Sequence, residues 1–330
     1  MYGNISMVKT GLDVLRESPQ LLSGGTNLGL LYNQASISSD LTPAVDVICS
    51  LFPGRLKALF GPQHGVGLTE QDNMIESAHE VHPKYGIPVY SLYEASRRPS
   101  PEMLRDVDTV IVDIQDIGTR VYTFATTVLY LMEVCSGQGK SVVILDRPNP
   151  INGRDVEGNV IKPGYESFVG PHPIPMRHGM TLGELMLYYN GKYSLGCNLE
   201  VIRATGWSRH TYFDETELPW AMPSPNMPTL DTAIVYPGQV LLEGTKLSEG
   251  RGTTRPFEIF GAPYFDVESI LNSLDWSCLT GMALREVTFT PTFNKFAKKT
   301  CRGFQVHVTD RNIFKPYRAS LAMIAAVART

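Results

Sequence analysis

The chain has 330 residues, of which 43% are hydrophobic and 19% are charged. This composition is typical of a globular protein of about two domains and excludes a disordered chain or a coiled coil. The formal charge of −4 argues against a protein that wraps nucleic acid, because phosphate neutralisation needs a basic face. The five cysteines are scattered without a CxxC pair, so we expect reduced thiols rather than a disulfide framework or a zinc site.

No stretch of the sequence reaches the roughly 18 apolar residues that a membrane-spanning helix needs, and residues 1–9 lack the pattern of a signal peptide. We therefore expect no membrane partner and a cytoplasmic protein, or a periplasmic or secreted one if a leader has been removed. The alanine-rich stretch 319–327 predicts a helix without a C-cap, which in turn predicts further sequence beyond Thr330.

The first half of the chain alternates apolar β-type runs with helical patterns. The run TVIV, for example, is apolar in the manner of a parallel strand covered on both faces. Alternation of strand and helix implies right-handed crossovers and an α/β fold with a Rossmann-like, doubly wound, mostly parallel sheet. The sequence predicts strands at 28–32, 56–60, 88–92, 109–114 and 141–145, and helices at 39–51, 101–107 and 123–135.

The composition of the sequence changes near Asn149, where a stretch rich in proline and glycine begins. We therefore expect the Rossmann-like domain to cover residues 1–158 and a second, smaller α+β domain to cover residues 159–330. In this second half the sequence predicts helices at 181–189 and 266–274, a strand at 199–203, and an antiparallel pair formed by 284–291 and 303–309.

Polar and ionisable residues follow four of the predicted strands. Ligands bind outside the carboxyl ends of the strands in an open parallel sheet, so we expect these residues along one edge. Taken singly, each is equally explained as a turn former or a helix cap. Taken together, they indicate a functional site. They are Asn33, Gln63, His64, Asp113, Asp116, Asp146 and Asn149.

Loops of the second half carry a similar density of polar groups. The segment PSPNMPT centres on Asn226, and MRHGMT places Arg177 and His178 before a predicted helix N-terminus, which favours anions. The stretch 243–258 is rich in charged and small residues, and its Arg251 can grip a carboxylate through two hydrogen bonds. A solvated loop with capping residues is the structural alternative for each segment.

The sequence gives less support to a nucleotide-binding site or a metal site than to the polar edge of the sheet. No G-x-G-x-x-G or P-loop follows a strand, which argues against NAD or ATP. His64, His79 and His82 offer a conceivable metal site, but their spacing is not that of a zinc helix, and Pro83 favours a loop. We therefore expect neither a metal nor another cofactor.

Seven segments occur together and in order, and they carry a resemblance to a known family. From about Gly11 onwards the sequence resembles the bacterial exo-β-N-acetylmuramidases, long catalogued as an uncharacterised domain family. The segments are GPQHG, PVYSLY with RRPSPEML, DIQDIGTRVYT, LDRPNP, PIPMRHGMTLGEL, PSPNMPT and EGT-x-x-S-x-GRGT-x-x-PF.

The resemblance implies a glycoside hydrolase that removes N-acetylmuramic acid from the non-reducing end of peptidoglycan-derived saccharides in cell-wall turnover and recycling. It also implies an active site in a cleft between the Rossmann-like domain and the smaller domain, with no metal or nucleotide. One residue departs from the family pattern. Many members have P-E-H-G, with a Glu thought to act in catalysis, where this chain has Gln63. An amide cannot act as a general acid or nucleophile, although it can hydrogen-bond a sugar or position a water.

Glycoside hydrolysis usually needs two carboxyl groups. Glu243 is the favoured candidate because it opens a segment that matches the family, and Asp116 is its expected partner. His64 would orient one of them or bind a hydroxyl. Gln63 would orient the substrate if the N-acetyl group of the sugar took part in the reaction.

Substrate binding falls to the other polar residues of these loops. A muramic acid lactyl group carries a carboxylate, for which Arg251 or Arg177 is the expected anchor. Two alternatives stay open: a metal-dependent cell-wall amidase or esterase that uses the three histidines, and a non-catalytic amino-sugar-binding protein in which Gln63 marks a lost acid. The remaining candidates for substrate binding are Asn33, Asp113, Asp146, Asn149, His178 and Asn226.

Overall fold

The computed structural model describes residues 8–22, 26–68, 79–93 and 97–330. The chain forms two compact units. The first contains the chain up to Asp155 with residues 161–173 and 178–225, and the second contains residues 156–160, 174–177 and 226–330. The main division thus lies near residue 226, whereas the change in sequence texture placed it at 158–159. The reason is that residues 198–202 pair as the last strand of the first unit's sheet.

The first unit is built on a seven-stranded sheet, and its strands are β1 (Leu28–Tyr32), β2 (Leu56–Gly61), β3 (Glu80–Val81), β4 (Pro88–Ser91), β5 (Thr109–Asp113), β6 (Ser141–Leu145) and β7 (Asn198–Ile202). Their order in the sheet is β3-β4-β2-β1-β5-β6-β7, and only the β3–β4 pair is antiparallel. The helices of this unit are α1 (Gly11–Glu17), α2 (Ala44–Leu51), α3 (Phe124–Gly137) and α4 (Leu182–Lys192). The predicted doubly wound, mostly parallel sheet is confirmed.

Burial on both faces explains why the central strands were recognisable in the sequence. Every residue of β1 and β5 is buried. Leu12 of α1 and Ile48 of α2 pack in one apolar cluster with Leu30 of β1. A strand covered on both faces must be apolar along its whole length, and such runs are visible without any tertiary information.

Several helices differ from the predictions. The predicted helix at 39–51 begins only at Ala44, because Asp40 accepts hydrogen bonds from the hydroxyls of Ser38 and Thr42 and holds a turn there. Of residues 101–107, a single 3₁₀ turn at Glu102–Leu104 is helical. Helix α1 was not predicted.

The second unit contains helices α5 (Leu230–Gln239), α6 (Val267–Ser273) and α7 (Pro316–Arg329) and strands β8 (Ile259–Ala262), β9 (Met282–Phe289) and β10 (Cys301–Val308). The strands form an antiparallel sheet in the order β8-β10-β9, which confirms the predicted antiparallel pair. Helix α5 was not predicted, because Pro237 lies inside it. Gly238 permits its close packing on α7, since a Cβ there would lie 1.9 Å from the Pro316 carbonyl oxygen.

All five cysteines are free thiols, as the sequence indicated. Cys135, Cys197 and Cys301 are buried, and the other two are partly buried. Within the parts of the chain that the structure describes, no helix is both long and apolar enough to cross a membrane.

Candidate active site

The strand order of the first unit places a topological switch beside β1, which is flanked by β2 on one side and β5 on the other. Ligands of doubly wound sheets bind at such a point, outside the carboxyl ends of the strands. Asn33 follows β1, Gln63 follows β2, Asp113 ends β5 and Asp146 follows β6. Some of these side chains use all their polar atoms in hydrogen bonds within the protein, and others keep a polar atom that could bind a ligand.

Asp113 is committed to a buried ion pair. Arg147 donates from Nε to Asp113 Oδ1 at 2.6 Å and from Nη2 to Oδ2 at 2.8 Å. The Arg147 Nη2 also donates to the Ile37 carbonyl at 2.8 Å. Burial raises the pKa of Asp113, and the guanidinium acts in the opposite direction. A carboxylate bound in this two-pronged way ties the ends of β5 and β6 together, and substrate binding by Asp113 stays a prediction.

Asn33 and Asn149 support loops of the same edge. Asn33 accepts a hydrogen bond from the backbone N–H of Ala35 at 2.9 Å and donates to the Pro223 carbonyl at 3.2 Å. Asn149 donates to the Met180 carbonyl at 2.9 Å and accepts from a backbone N–H two residues further on at 3.1 Å. Both side chains are buried. Their hydrogen bonds serve the loops, and substrate binding by either residue stays a prediction.

Asp146 caps the N-terminus of α4. Its Oδ2 accepts from the Thr181 hydroxyl at 2.7 Å, and its Oδ1 accepts from the Gly183 N–H at 2.9 Å. Thr181 and Glu184 also form the capping box that the sequence predicted. Burial raises the pKa of Asp146 to about 6 although these hydrogen bonds favour the charged form. A role of Asp146 in substrate binding likewise stays a prediction.

Asp116 differs from these residues because only one of its carboxylate oxygens is anchored. Oδ2 accepts from the Gly118 N–H at 2.7 Å and lies 3.6 Å from His178 Nε2. Among the described residues, neither the buried Oδ1 nor His178 Nε2 has a hydrogen-bond partner. Buried polar atoms are nearly always hydrogen-bonded, so these atoms indicate a place where a ligand supplies the missing partner.

His178 is held in one orientation beside Asp116. Its Nδ1 accepts from the Met180 N–H at 3.2 Å, which places the proton of the neutral ring on Nε2, the nitrogen that faces the carboxylate. The buried hydroxyl of Thr119 likewise has no hydrogen-bond partner in the part of the chain that the structure describes. Burial raises the pKa of Tyr189, and the charge of Asp116 contributes to this shift. Asp116, Thr119 and His178 are called the Asp116 site below.

Gln63 and His64 lie in the turn after β2, and both are 7% exposed. The Thr123 hydroxyl donates to Gln63 Oε1 at 2.6 Å, which leaves the amide NH₂ as the group that can donate to a sugar. His64 has a φ of 72°, an unusual left-handed conformation for a residue with a side chain, and Gly65 follows with a φ of 75°. Backbone strain of this kind concentrates at functional sites.

Glu243, Glu249, Arg251 and Lys295 form a group in the second unit that is called the carboxylate–cation cluster below. Arg251 Nη2 donates to Glu243 Oε1 at 2.6 Å, and Arg251 Nε lies 3.4 Å from Glu249 Oε1. Lys295 donates to Glu249 Oε2 at 3.1 Å. The side chain of Glu243 is 34% exposed, whereas that of Arg251 is 6% exposed. Arg251 Nε is also buried without a hydrogen-bond partner among the described residues, so a role of Arg251 as an anchor for a substrate carboxylate stays a prediction.

Arg177 and Asn226 are the other predicted residues of the second unit. Arg177 pairs through its backbone with Glu157, with N–O distances of 2.9 and 3.0 Å. Asn226 is buried in the segment that precedes α5. Glu258 accepts from the Thr232 hydroxyl at 2.6 Å at the N-terminal turn of α5. The binding roles of Arg177 and Asn226 stay predictions.

Asp116 belongs to the first unit and Glu243 to the second, and their pairing stays a prediction. The sequence reasoning missed Thr119, although it lies in the segment DIQDIGTRVYT that marks the family. It also missed Lys295, which lies between β9 and β10 outside every recognised segment, so no local signal pointed to it.

Two of the three histidines considered as metal ligands, His79 and His82, accept hydrogen bonds from backbone N–H groups. The Ser91 N–H donates to His79 Nδ1 at 3.2 Å, and the Lys84 N–H donates to His82 Nδ1 at 3.3 Å. Among the described residues, no group of three or more His, Cys, Asp or Glu side chains is arranged to hold a metal ion. The described geometry therefore lends no support to the metal-dependent amidase alternative.

The doubly wound sheet and the smaller antiparallel unit define a two-domain α/β protein, with a candidate active site at the carboxyl edge of the larger sheet. Residues 28–231 match the N-terminal domain of the exo-β-N-acetylmuramidase NamZ, and residues 234–330 match its C-terminal domain. The chain therefore belongs to the NamZ exo-β-N-acetylmuramidase family, as its motifs indicated.

Relatives support this assignment over both units. The chain is 43% identical over 323 residues to the peptidoglycan β-N-acetylmuramidase NamZ of Bacillus subtilis (strain 168), covering 97% of this chain and 77% of that protein. A crystal structure of a DUF1343 family protein from Bacteroides fragilis NCTC 9343 matches with a TM-score of 0.89 and 35% identity, covering 98% of this chain and 83% of that one. A second DUF1343 family protein from the same organism matches with a TM-score of 0.73 and 28% identity, covering 98% and 92%.

Proposed function

We propose that this chain is an exo-acting β-N-acetylmuramidase, which releases N-acetylmuramic acid from the non-reducing end of peptidoglycan-derived saccharides. Family membership and the muramidase relative support the reaction class. Within the molecule, the observation that carries the proposal is Asp116, whose Oδ2 is anchored by Gly118 while its buried Oδ1 lacks a partner among the residues that the structure describes. A carboxyl group fixed in this way can exchange a proton with a glycosidic oxygen or a water.

We assign the second carboxyl group to Glu243. Glycoside hydrolysis needs one carboxyl group as an acid and another as a base, nucleophile or stabiliser of positive charge on the sugar. The ion pair between Glu243 and Arg251 suits the ionised role. The acid role then falls to Asp116, and His178 is a positioning residue that acts through it.

Gln63 and an arginine are proposed to recognise the sugar. The Thr123 hydroxyl fixes the Gln63 amide, so its NH₂ is positioned to donate to the N-acetyl group or a ring substituent. A muramic acid residue differs from N-acetylglucosamine by a lactyl carboxylate, which requires a cation. Arg177 and Arg251 are both candidates for this cation: Arg251 donates from Nη2 to Glu243, and its Nε has no hydrogen-bond partner among the described residues.

Release of 4-nitrophenol from the β-N-acetylmuraminide, compared with release from the β-N-acetylglucosaminide, tests the proposal. We expect turnover of the first glycoside only, and activity that survives a strong chelator. Glu243→Gln should abolish turnover. Glu286→Gln is the matched control, because Glu286 is an exposed residue of β9 that pairs with Arg302 at the surface; it should keep the wild-type rate.

A non-catalytic sugar-binding protein is the second candidate, and Gln63 in place of the family's Glu favours it. On that alternative, N-acetylmuramic acid raises the melting temperature while neither glycoside is hydrolysed. That pair of results would contradict the proposed hydrolase.

A further inference from the structure

Lys295 has an unusually complete set of hydrogen-bond acceptors for a lysine that is 26% exposed. Its Nζ donates to the carbonyl oxygens of Leu242, Glu243 and Leu247 at 2.8, 3.0 and 2.9 Å, and to Glu249 Oε2 at 3.1 Å. An ammonium group has three N–H donors, so four acceptors use its whole hydrogen-bonding capacity. The contacts of this ammonium therefore lie within the protein.

Two of the carbonyls belong to the helical turn that carries Glu243. Residues Val240–Gly244 form a 3₁₀ helix, and the last carbonyls of a helix have no partner within it. The Leu242 carbonyl also accepts from the N–H and the hydroxyl of Thr245, at 3.0 and 2.8 Å, and the positive charge of Lys295 opposes the partial negative charge at this end. Lys295 thus caps the turn from a position 52 residues along the chain from Glu243.

The loop 292–299, which supplies Lys295, is itself fixed in an uncommon shape. Asn294, Phe296 and Lys298 have φ values of 64°, 57° and 63°. Residues with side chains keep left-handed conformations only where their surroundings enforce them. The first residue of the loop donates from both its N–H and its hydroxyl to the Gly252 carbonyl, at 2.8 and 2.9 Å. The loop is therefore anchored to the segment that directly follows Arg251.

The Lys295 ammonium balances part of the negative charge in the carboxylate–cation cluster. Arg251 faces Glu243 through Nη2 and Glu249 through Nε. Because Lys295 takes the other oxygen of Glu249, the two carboxylates share two cations. Without the ammonium, one guanidinium would have to serve both carboxylates, one of which is only 2% exposed.

We propose that Lys295 is a positioning residue for Glu243. It fixes the helical turn through the carbonyls, and it holds Glu249 so that Arg251 stays on Glu243. This inference rests on the proposed function, in which Glu243 acts on the substrate.

Lys295→Met tests the proposal, with Lys299→Met, an exposed lysine of the same loop, as the matched control. We expect kcat for the muraminide to fall about 10- to 100-fold with KM within about 3-fold in the first variant, because only the placement of a reacting group is lost. Lys295→Arg should recover part of the rate, and the control should equal wild type. A wild-type kcat in Lys295→Met, or a loss confined to KM, would overturn the proposal, since Lys295 would then not affect the placement of Glu243.

Amide hydrogen exchange in peptides spanning residues 240–252 provides a readout that does not depend on turnover. We expect faster exchange there in Lys295→Met, at least 10-fold at the most protected amide, and no change in Lys299→Met. Unchanged exchange in Lys295→Met would overturn the positioning role whether or not the protein hydrolyses the glycoside. Faster local exchange in a protein that hydrolyses neither glycoside would instead overturn the proposed function and leave Lys295 as the cap of this turn.

Discussion

Asp113 and Asp116 lie three residues apart at the same sheet edge, yet their hydrogen bonds predict opposite effects of substitution by Asn. Asp116→Asn keeps an oxygen for the Gly118 N–H but removes a group that can donate or accept a proton. A general acid or base contributes about 10²- to 10⁴-fold to the rate. We expect kcat/KM for the muraminide to fall by that factor, which is about 3–5 kcal/mol of transition-state free energy. The melting temperature should stay equal or rise, because Asp116 Oδ1 is a buried oxygen without a hydrogen-bond partner among the described residues.

Asp113→Asn should instead weaken the fold. Asp113 is 0% exposed and binds Arg147 through both oxygens, so Asn leaves a buried guanidinium without its counter-charge. Removing one partner of a buried ion pair lowers the free energy of unfolding by about 3–5 kcal/mol. This loss corresponds to a melting temperature lower by about 6–20 °C. Activity per folded molecule should fall far less than in Asp116→Asn.

Calorimetry and glycoside turnover on the two purified variants measure both quantities side by side, so each variant is the control for the other. The reasoning is refuted if Asp116→Asn unfolds at a clearly lower temperature, or if it keeps its activity. It is equally refuted if Asp113→Asn has the melting temperature of the wild type but is inactive. Asp113, whose two oxygens are both hydrogen-bonded, would then be the residue that takes part in the reaction.

Three further predictions concern neighbouring residues. Burial raises the pKa of folded Asp146 to about 6 from 3.8, so the folded protein keeps a proton that the unfolded chain loses. Its contribution to unfolding free energy is therefore present below about pH 4 and lost by about pH 6, a fall of at most about 3 kcal/mol. Urea unfolding from pH 4 to 7 should show a smaller decline in Asp146→Asn, and an equal decline would contradict the assignment. His178→Phe should lower kcat about 10- to 100-fold with little change in KM. It should have no further effect in an Asp116→Asn background, and an additive loss in the double variant would count against positioning. Gln63→Ala should raise KM about 2- to 10-fold, as expected for one lost hydrogen bond, while a large fall in kcat would show that Gln63 acts in the chemical step.

Much of the first unit could be predicted because its signals are local. The apolar runs of β1, β5 and β6 are continuous, and the capping box at Thr181 marks the start of α4 within four residues of sequence. Helix α5 escaped prediction because Pro237, which usually ends a helix, is tolerated inside it. The main division between the units lies further along the chain than the sequence predicted, for a different reason. The pairing of β7 with β6 is what shows that residues 198–202 belong to the first sheet.

The candidate site could be predicted only as a set of residues. The convergence of polar groups after parallel strands follows from topology, so Asp113, Asp116 and Asp146 were expected at one edge. Sequence patterns contain no information about which carboxylate finds a partner. Arg147 lies 34 positions beyond Asp113, and Lys295 lies 46 positions beyond Glu249. Such pairs form when the chain packs.

By itself, the sequence determined the α/β class, the reading of the cysteines as free thiols, the family and the edge of the sheet on which polar groups gather, because these depend on periodicity, composition and contiguous motifs. The tertiary structure alone decided which of those groups serve the fold. Both oxygens of Asp113 and of Asp146 accept hydrogen bonds, whereas Asp116 Oδ1 and His178 Nε2 are buried without partners among the described residues. The physical reason is that burial makes every polar atom depend on a partner, and the partners come from distant parts of the chain.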